Sequence, residues 1–330
     1  MKKSQREKLT FTKFIEEFKN NTRRYLLFLF LLIILLSLPG QNYYQTLGLK
    51  KVEPEFLALP FEIPPPALYP EKIGTQNAPY LTAESAILMD VNSQVIMYQH
   101  NSEKKLLPAS TTKIMTAIVA LENYPTDLVL PAKETQLEAS VDASLMGLET
   151  GDQVPVQTLL YGLLLNSGAD AAETLARNFP GGKAVFINKM NEKARELNLT
   201  NTHFVNAIGF DDNEQYTTVL DLARLTTYAL KNPLFTEIVK TKEKFVYNSD
   251  QTKRYYLKNI NQLLGFSGID GVKTGYTELA GECLVASASV DGHRVVSVIL
   301  NSNDRFLETE ALIRWGFNNF SWQNFAITSY

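Results

Sequence analysis

Runs of apolar and polar positions divide this 330-residue chain into segments of different character. Tyr25 to Leu38 is almost wholly apolar and follows a leader in which residues 1–24 carry eight Lys or Arg against three Glu. Further on, Ser85-Ala-Ile-Leu-Met-Asp90 and Gln94-Val-Ile-Met-Tyr-Gln99 read as two strands around a turn at Val91-Asn92-Ser93. After Pro108 the helical period takes over, and Ser110 to Asn123 is predicted as a helix. Residues 157–178 are strongly apolar with a break at Asn166-Ser167-Gly168, which places a turn between two helices. Residues 181–197 and 218–230 have amphipathic helical patterns. Glu282 to Val290 and Arg294 to Leu300 form a second hairpin with Asp291-Gly292 as its turn. A last amphipathic helix is expected over Arg305 to Asn318. Hairpins at both ends and helices in the middle predict an α+β fold, with strands from the two chain ends joined in one antiparallel sheet and helices packed on it.

The first 80 residues are expected to lie outside that fold. A basic leader (1–24) before an apolar run (25–39) suits either a secretory signal or a signal anchor. The run is short for a membrane span, which takes about 17–25 residues. Ser37-Leu38-Pro39-Gly40 is a poor cleavage site, which favours an uncleaved anchor with the leader inside and the rest of the chain outside. Residues 40–80 contain Pro54, Pro60, Pro64, Pro65, Pro66, Pro70 and Pro79, and are expected to form an extended tether. The globular part then covers residues 81–319, with 320–330 as a short tail. About a dozen residues follow Trp315-Gly316-Phe317, so the membrane connection is expected from the amino-terminal side.

Composition narrows the chemistry. Apolar residues at 45% and charged residues at 20% are ordinary for a globular protein, and a net charge of -3 gives no sign of a nucleic-acid partner. The single cysteine, Cys283, sits in an apolar stretch and reads as a buried structural thiol. His100, His203 and His293 are scattered, so neither a zinc site nor a Ser-His-Asp triad is expected. What stands out is Ser110-Thr111-Thr112-Lys113 at the head of an apolar helix. Positions i and i+3 share a helix face, which puts an amine beside a hydroxyl, the minimum equipment for acyl transfer. Alone the pattern is weak, since Ser102-Glu103-Lys104-Lys105 also matches it. Two further elements follow in order: Ser167-Gly168 at the inter-helix turn, and Lys273-Thr274-Gly275 directly before the Glu282–Val290 strand.

In that order the three elements resemble the S-x-x-K, S-x-N and K-T-G set of penicillin-binding proteins and serine β-lactamases. Several longer segments resemble the low-molecular-mass D-alanyl-D-alanine carboxypeptidases, peptidase family S11. They are Ser85 to Ala117, Leu159 to Leu164, Thr202-His203-Phe204-Val205-Asn206 and Gly271 to Thr277 followed by Ala280-Gly281. The resemblance implies a β-lactamase/transpeptidase-like fold without cofactor or metal. It implies Ser110 as nucleophile, Lys113 as general base with a pKa lowered by burial and by Lys273, and Ser167 as proton relay. Lys273 and Thr274 would bind the substrate's terminal carboxylate, helped by Arg305 before Trp315-Gly316-Phe317. Gly275 would allow close approach of the substrate backbone, and the oxyanion would meet the N–H of Ser110 and one near Thr277. The implied substrate is a peptidoglycan stem peptide ending in D-Ala-D-Ala, with β-lactams as covalent inhibitors and the membrane as a partner. One departure is plain: Ala169 replaces the usual asparagine of S-x-N, which helps hold the substrate amide and orient the lysine, and Asn166 is the nearby amide that could stand in. Alternative readings are a catalytically weak penicillin- or peptidoglycan-binding module, a β-lactamase and a D,D-endopeptidase.

Overall fold

Strand β2 (Ser85–Asp90) is buried at every position, and the reason is a sheet covered on both faces. The computed structural model describes residues 2–37, 68–133 and 143–323. Its main sheet has the order β3-β2-β10-β9-β8, all antiparallel, where β3 is Ile96–His100, β8 Ile269–Thr277, β9 Gly281–Val290 and β10 His293–Ser302. Side chains alternate between two cores. Ile87, Met89, Val285, Val296 and Val298 join a large cluster with the middle helices, while Leu88, Leu284, Ala286 and Val295 join a second one under the last helix. Two-sided burial turns the expected polar–apolar alternation into continuous apolar runs. The chain-end strands thus meet in one sheet, as the α+β reading expected.

The middle of the chain supplies the large core. Helix α2 (Lys113–Asn123) is buried from Lys113 through Ala120, because α3 (Val156–Leu164), α4 (Ala169–Arg177), α5 (Lys183–Glu196) and α6 (Val219–Ala229) pack around it. A helix apolar on all sides is what an enclosed position requires. Thr218 caps α6 by accepting from the Asp221 N–H, and Asn232 caps α7 (Pro233–Lys240) by accepting from the Phe235 N–H. Helix α8 (Arg305–Asn319), capped by Asp304, lies on the second face of the sheet. It approaches so closely at Gly316 that a Cβ there would lie 2.4 Å from Leu88 Cδ2. Two of the smaller antiparallel pairs are β4 (Val129–Pro131) with β5 (Gln153–Pro155), and β6 (Glu243–Tyr247) with β7 (Arg254–Lys258).

Two expectations are corrected. Helix α2 begins at Lys113, and Ser110 lies in a 3₁₀ turn over Ala109–Thr112. The tether does not run to residue 80, because β1 (Tyr69–Lys72) pairs antiparallel with β11 (Phe320–Gln323), the segment expected as part of a tail. Ile73 and Gly74 donate N–H bonds to Asn319 O, and Trp315 Nε1 donates to Gln76 O, so this stretch is built into the fold. The rest of the expected tether, residues 40–67, lies outside the described residues, as do Leu38 and Pro39 of the expected anchor. The chain divides into two units, Met1–Ile63 and Pro64–Tyr330. In the first, α1 (Lys2–Ser37) carries the exposed apolar run Tyr25–Leu36, about 18 Å of helix at ~1.5 Å per residue. Among the described residues no helix is long and apolar enough to cross a membrane.

The pairing of β1 with β11 has a measurable consequence. A protein starting at Pro64 is expected to melt at a higher temperature than one starting at Pro79, by an amount on the order of 2 kcal/mol of stability. Equal melting temperatures would show that the segment before residue 79 adds nothing.

Candidate active site

Ser110 is held by the backbone around it. Ala109 has φ +46°, a left-handed conformation that carries strain for a residue with a Cβ. On one side lies Gly209, where an added Cβ would sit 1.9 Å from Ala109 O; on the other lies Gly275 of β8, where it would sit 3.2 Å from Ser110 N. The serine is therefore gripped between the loop before α6 and the edge strand of the sheet. Its hydroxyl caps no helix. Instead Lys113 Nζ donates to Ser110 Oγ at 2.9 Å and to Ile208 O at 2.7 Å. The i, i+3 relation expected from sequence is thus realised, although the turn joining the two residues is 3₁₀.

Lys113 is 1% exposed, and the electrostatics follow from that. Burial lowers its pKa to about 7, against the opposing pull of the Asp170 carboxylate. Asp170, at the start of α4, is itself buried and accepts the N–H groups of Met146, Gly147 and Leu148. The sequence reading invoked Lys273 as a neighbouring cation that lowers Lys113. Burial is the main cause, and the cation–cation effect is felt at Lys273. Its amine is held well below the usual lysine range by burial first, then by Lys113 and Arg305.

The sheet side of the site is β8, a strand that the sequence pattern placed only as a segment before β9. Lys273 is buried and its Nζ donates to Thr274 O at 2.8 Å. Arg305, at the start of α8, donates from Nη1 to Gly275 O at 2.7 Å. Thr274 Oγ1 and Arg305 Nε are buried and have no hydrogen-bond partner. Both residues line one cavity, and buried polar atoms without a partner call for an explanation. Thr277 Oγ1 donates to Asp211 Oδ1 at 2.7 Å and accepts from the Ala280 N–H, tying the end of β8 to the loop before α6.

Between these walls lies a cavity of about 750 Å³. Ser110, Lys113 and Ser167 line it from the helical side; Thr274, Gly275, Thr277 and Arg305 line it from the sheet side. Lys273 stands behind the wall rather than in it. Ser167, in the turn between α3 and α4, is nearly buried with φ +65°. Ala169 lines the same cavity with a methyl group. Asn166 is not among the residues lining the cavity; its Nδ2 donates to Leu145 O, and its Oδ1 is buried without a hydrogen-bond partner. Three participants escaped the sequence reading: the Ile208 carbonyl, the Asp170 carboxylate and Asp211. Cys283 is fully buried, as expected, and burial raises its thiol to about 11.

Comparison with known proteins agrees with this geometry. The model of the D-alanyl-D-alanine carboxypeptidase family, peptidase S11, matches residues 72–304. The chain is 39% identical over 261 residues to D-alanyl-D-alanine carboxypeptidase DacC of Escherichia coli, covering 74% of this chain and 64% of that one. It is 33% identical over 245 residues to D-alanyl-D-alanine carboxypeptidase DacF of Bacillus subtilis, covering 72% and 63%. These matches thus span somewhat under two thirds of those relatives' length. The crystal structure of the Streptomyces K15 DD-transpeptidase superposes with a TM-score of 0.70 at 33% identity, covering 74% of this chain and 100% of that one. With an amine on a serine hydroxyl in a cavity walled by Thr274 and Arg305, and with these matches across its catalytic part, the chain belongs to the D-alanyl-D-alanine carboxypeptidase family, peptidase S11.

Proposed function

We propose that this protein is a serine-type D-Ala-D-Ala carboxypeptidase that removes the terminal D-Ala from peptidoglycan stem peptides and is acylated by β-lactams. The observation that carries the reading is the contact of Lys113 Nζ with Ser110 Oγ inside the cavity. An amine with a pKa of about 7 is neutral in a large fraction of molecules at neutral pH, so it can take the proton as Oγ attacks the penultimate D-Ala carbonyl. The developing oxyanion would meet the Ser110 N–H and a second N–H near the end of β8, by Thr277. Collapse of this intermediate breaks the peptide C–N bond. The leaving D-Ala amine takes its proton from Lys113 by way of Ser167, and water then hydrolyses the ester on Ser110.

The substrate's carboxylate is assigned to Thr274 and Arg305, whose unpartnered hydroxyl and Nε face the same wall. Lys273 supports them from behind as a buried amine held by Thr274 O, rather than as a direct contact. Gly275 keeps the approach to Ser110 clear, since any side chain there would press on the Ser110 N–H. We place the amino-terminal helix at the bacterial cell membrane, as an attachment for a catalytic unit that works outside it. Its basic leader suits anionic lipid headgroups, and its exposed run Tyr25–Leu36 suits the acyl boundary.

Three measurements test this reading. Labelled penicillin is expected to form a covalent adduct that Ser110→Ala abolishes, with an acylation rate that rises with pH through about 7 and then levels as Lys113 loses its proton. Release of D-Ala from a defined pentapeptide should follow the same profile; an unlabelled, well-folded protein would sink the proposal. Thr274→Val removes a hydroxyl that has no internal partner, so melting temperature should hold or rise while kcat/KM on carboxylate-ended peptides falls roughly 10-fold. Parallel losses of stability and activity would contradict the assigned role. Finally, the full chain should fractionate with membranes while a protein starting at Pro64 stays in the soluble fraction and labels equally well; co-fractionation of both would refute the attachment.

A further inference from the structure

The loop from Asn206 to Phe210 is organised by one side chain. Asn206 Oδ1 accepts three consecutive backbone N–H groups, from Ile208 at 3.2 Å, Gly209 at 2.7 Å and Phe210 at 3.1 Å, while its Nδ2 donates to Phe210 O at 3.1 Å. Gln215 locks the entry and exit of the same loop: its Oε1 accepts from Val205 and Asn206 N–H, and its Nε2 donates to Phe210 O. From helix α2, Thr116 Oγ1 donates to Ala207 O at 2.6 Å. A turn bound this densely presents the Ile208 carbonyl in one direction. That carbonyl accepts from Lys113 Nζ at 2.7 Å, a shorter contact than the one Nζ makes with Ser110 Oγ. Across the cavity, residue 169 offers a methyl group and no acceptor.

We propose that Asn206 is a positioning residue for the acylation step: by fixing the Ile208 carbonyl it holds the Lys113 amine on the Ser110 hydroxyl, in a site where Ala169 contributes nothing to that task. The proposal rests on Ser110 and Lys113 acting as the acylating pair. It assigns Asn206 no contact with substrate. Its effect passes through one backbone carbonyl, so removing it should disturb the direction of the amine more than the shape of the cavity. Displacing a reacting group by about 1 Å can cost as much as 10²-fold in rate. The charged groups that act on Lys113 and its neighbour are Asp170 from α4, Lys273 from β8 and, on Lys273, Arg305; among the described residues none of them hydrogen-bonds to Asn206.

The test uses the full chain and labelled penicillin across a pH series, with melting temperature recorded for each variant. Asn206→Ala is expected to slow acylation roughly 10- to 100-fold and to move the midpoint of the pH profile down, because the ammonium form of Lys113 loses an acceptor. Asn206→Asp keeps an oxygen for the three N–H groups but brings a negative charge, so it should fold, retain more of the plateau rate and move the midpoint up. Adding Ala169→Asn to Asn206→Ala supplies a new acceptor from the opposite wall and should restore part of the rate and raise the midpoint again. A wild-type rate in Asn206→Ala, or a loss that tracks melting temperature with no shift of midpoint and no recovery on Ala169→Asn, overturns the proposal. If Asn206→Ala does not fold, an unmoved midpoint in Asn206→Asp overturns it alone. Absence of labelling in the unsubstituted protein would instead defeat the acyl-transfer reading itself.

Discussion

Keeping an amine dry beside a hydroxyl is the constraint on which the rest of this structure depends. Lys113 has a pKa of about 7 in the folded chain against 10.5 for an ordinary lysine, with burial as the cause. Between those two values the unfolded chain binds the proton more readily than the folded one, so stability rises with pH across that window. Below about pH 7 the full penalty applies, on the order of 5 kcal/mol, and above pH 10.5 it is gone. That is a large share of the ~5–15 kcal/mol by which domains are usually stable. A second buried lysine, Lys273, lies in the adjacent strand and adds to the cost in the same direction.

The architecture around the pair follows from that requirement. Helix α2 is enclosed by four other helices, so the first turn that carries Lys113 has little freedom to open toward water. The sheet is covered on both faces, which leaves the edge strand β8 as its functional border. Polar groups that must be buried at this border are satisfied locally: Asp170 by three consecutive amides, Lys273 by Thr274 O, Thr277 by Asp211. Among the described residues, Thr274 Oγ1 and Arg305 Nε are the buried side-chain polar atoms of the sheet-side wall that lack a hydrogen-bond partner.

How much of this could be read from the sequence depends on where each signal resides. Apolar period revealed β2, the β9–β10 hairpin and helices α2 to α6 and α8, because each owes its place to side chains that face a core. Strand β8 was hidden by its own chemistry, since Gly271, Lys273, Thr274 and Gly275 interrupt the pattern that marks a strand. Helix α7 carried a legible start in Asn232-Pro233, a cap followed by proline, that the hydropathy pattern alone passed over. The β1–β11 pair joins segments about 250 residues apart, and four-residue strands leave too short a pattern to register. At the site, Ser110 and Lys113 were legible from spacing, whereas the Ile208 carbonyl was not, because backbone acceptors have no residue signature.

Ala169 ties these strands together. The cavity wall at this position is a nearly buried methyl group, so the space beside Lys113 is less polar than an amide would make it. Removing a potential acceptor withdraws solvation from the ammonium form and leaves the neutral amine less affected. The departure from the family pattern therefore works in the same direction as burial, toward the protonation state in which Lys113 can accept a proton. It works against orientation, however, because an amine with fewer partners has more directions open to it. The Ile208 carbonyl supplies the missing direction at 2.7 Å without supplying a charge, and Asp170 supplies the opposing charge without a hydrogen bond to the amine. Orientation in this site thus comes from a backbone carbonyl, while basicity is set first by burial, with Asp170 and that same carbonyl acting against it.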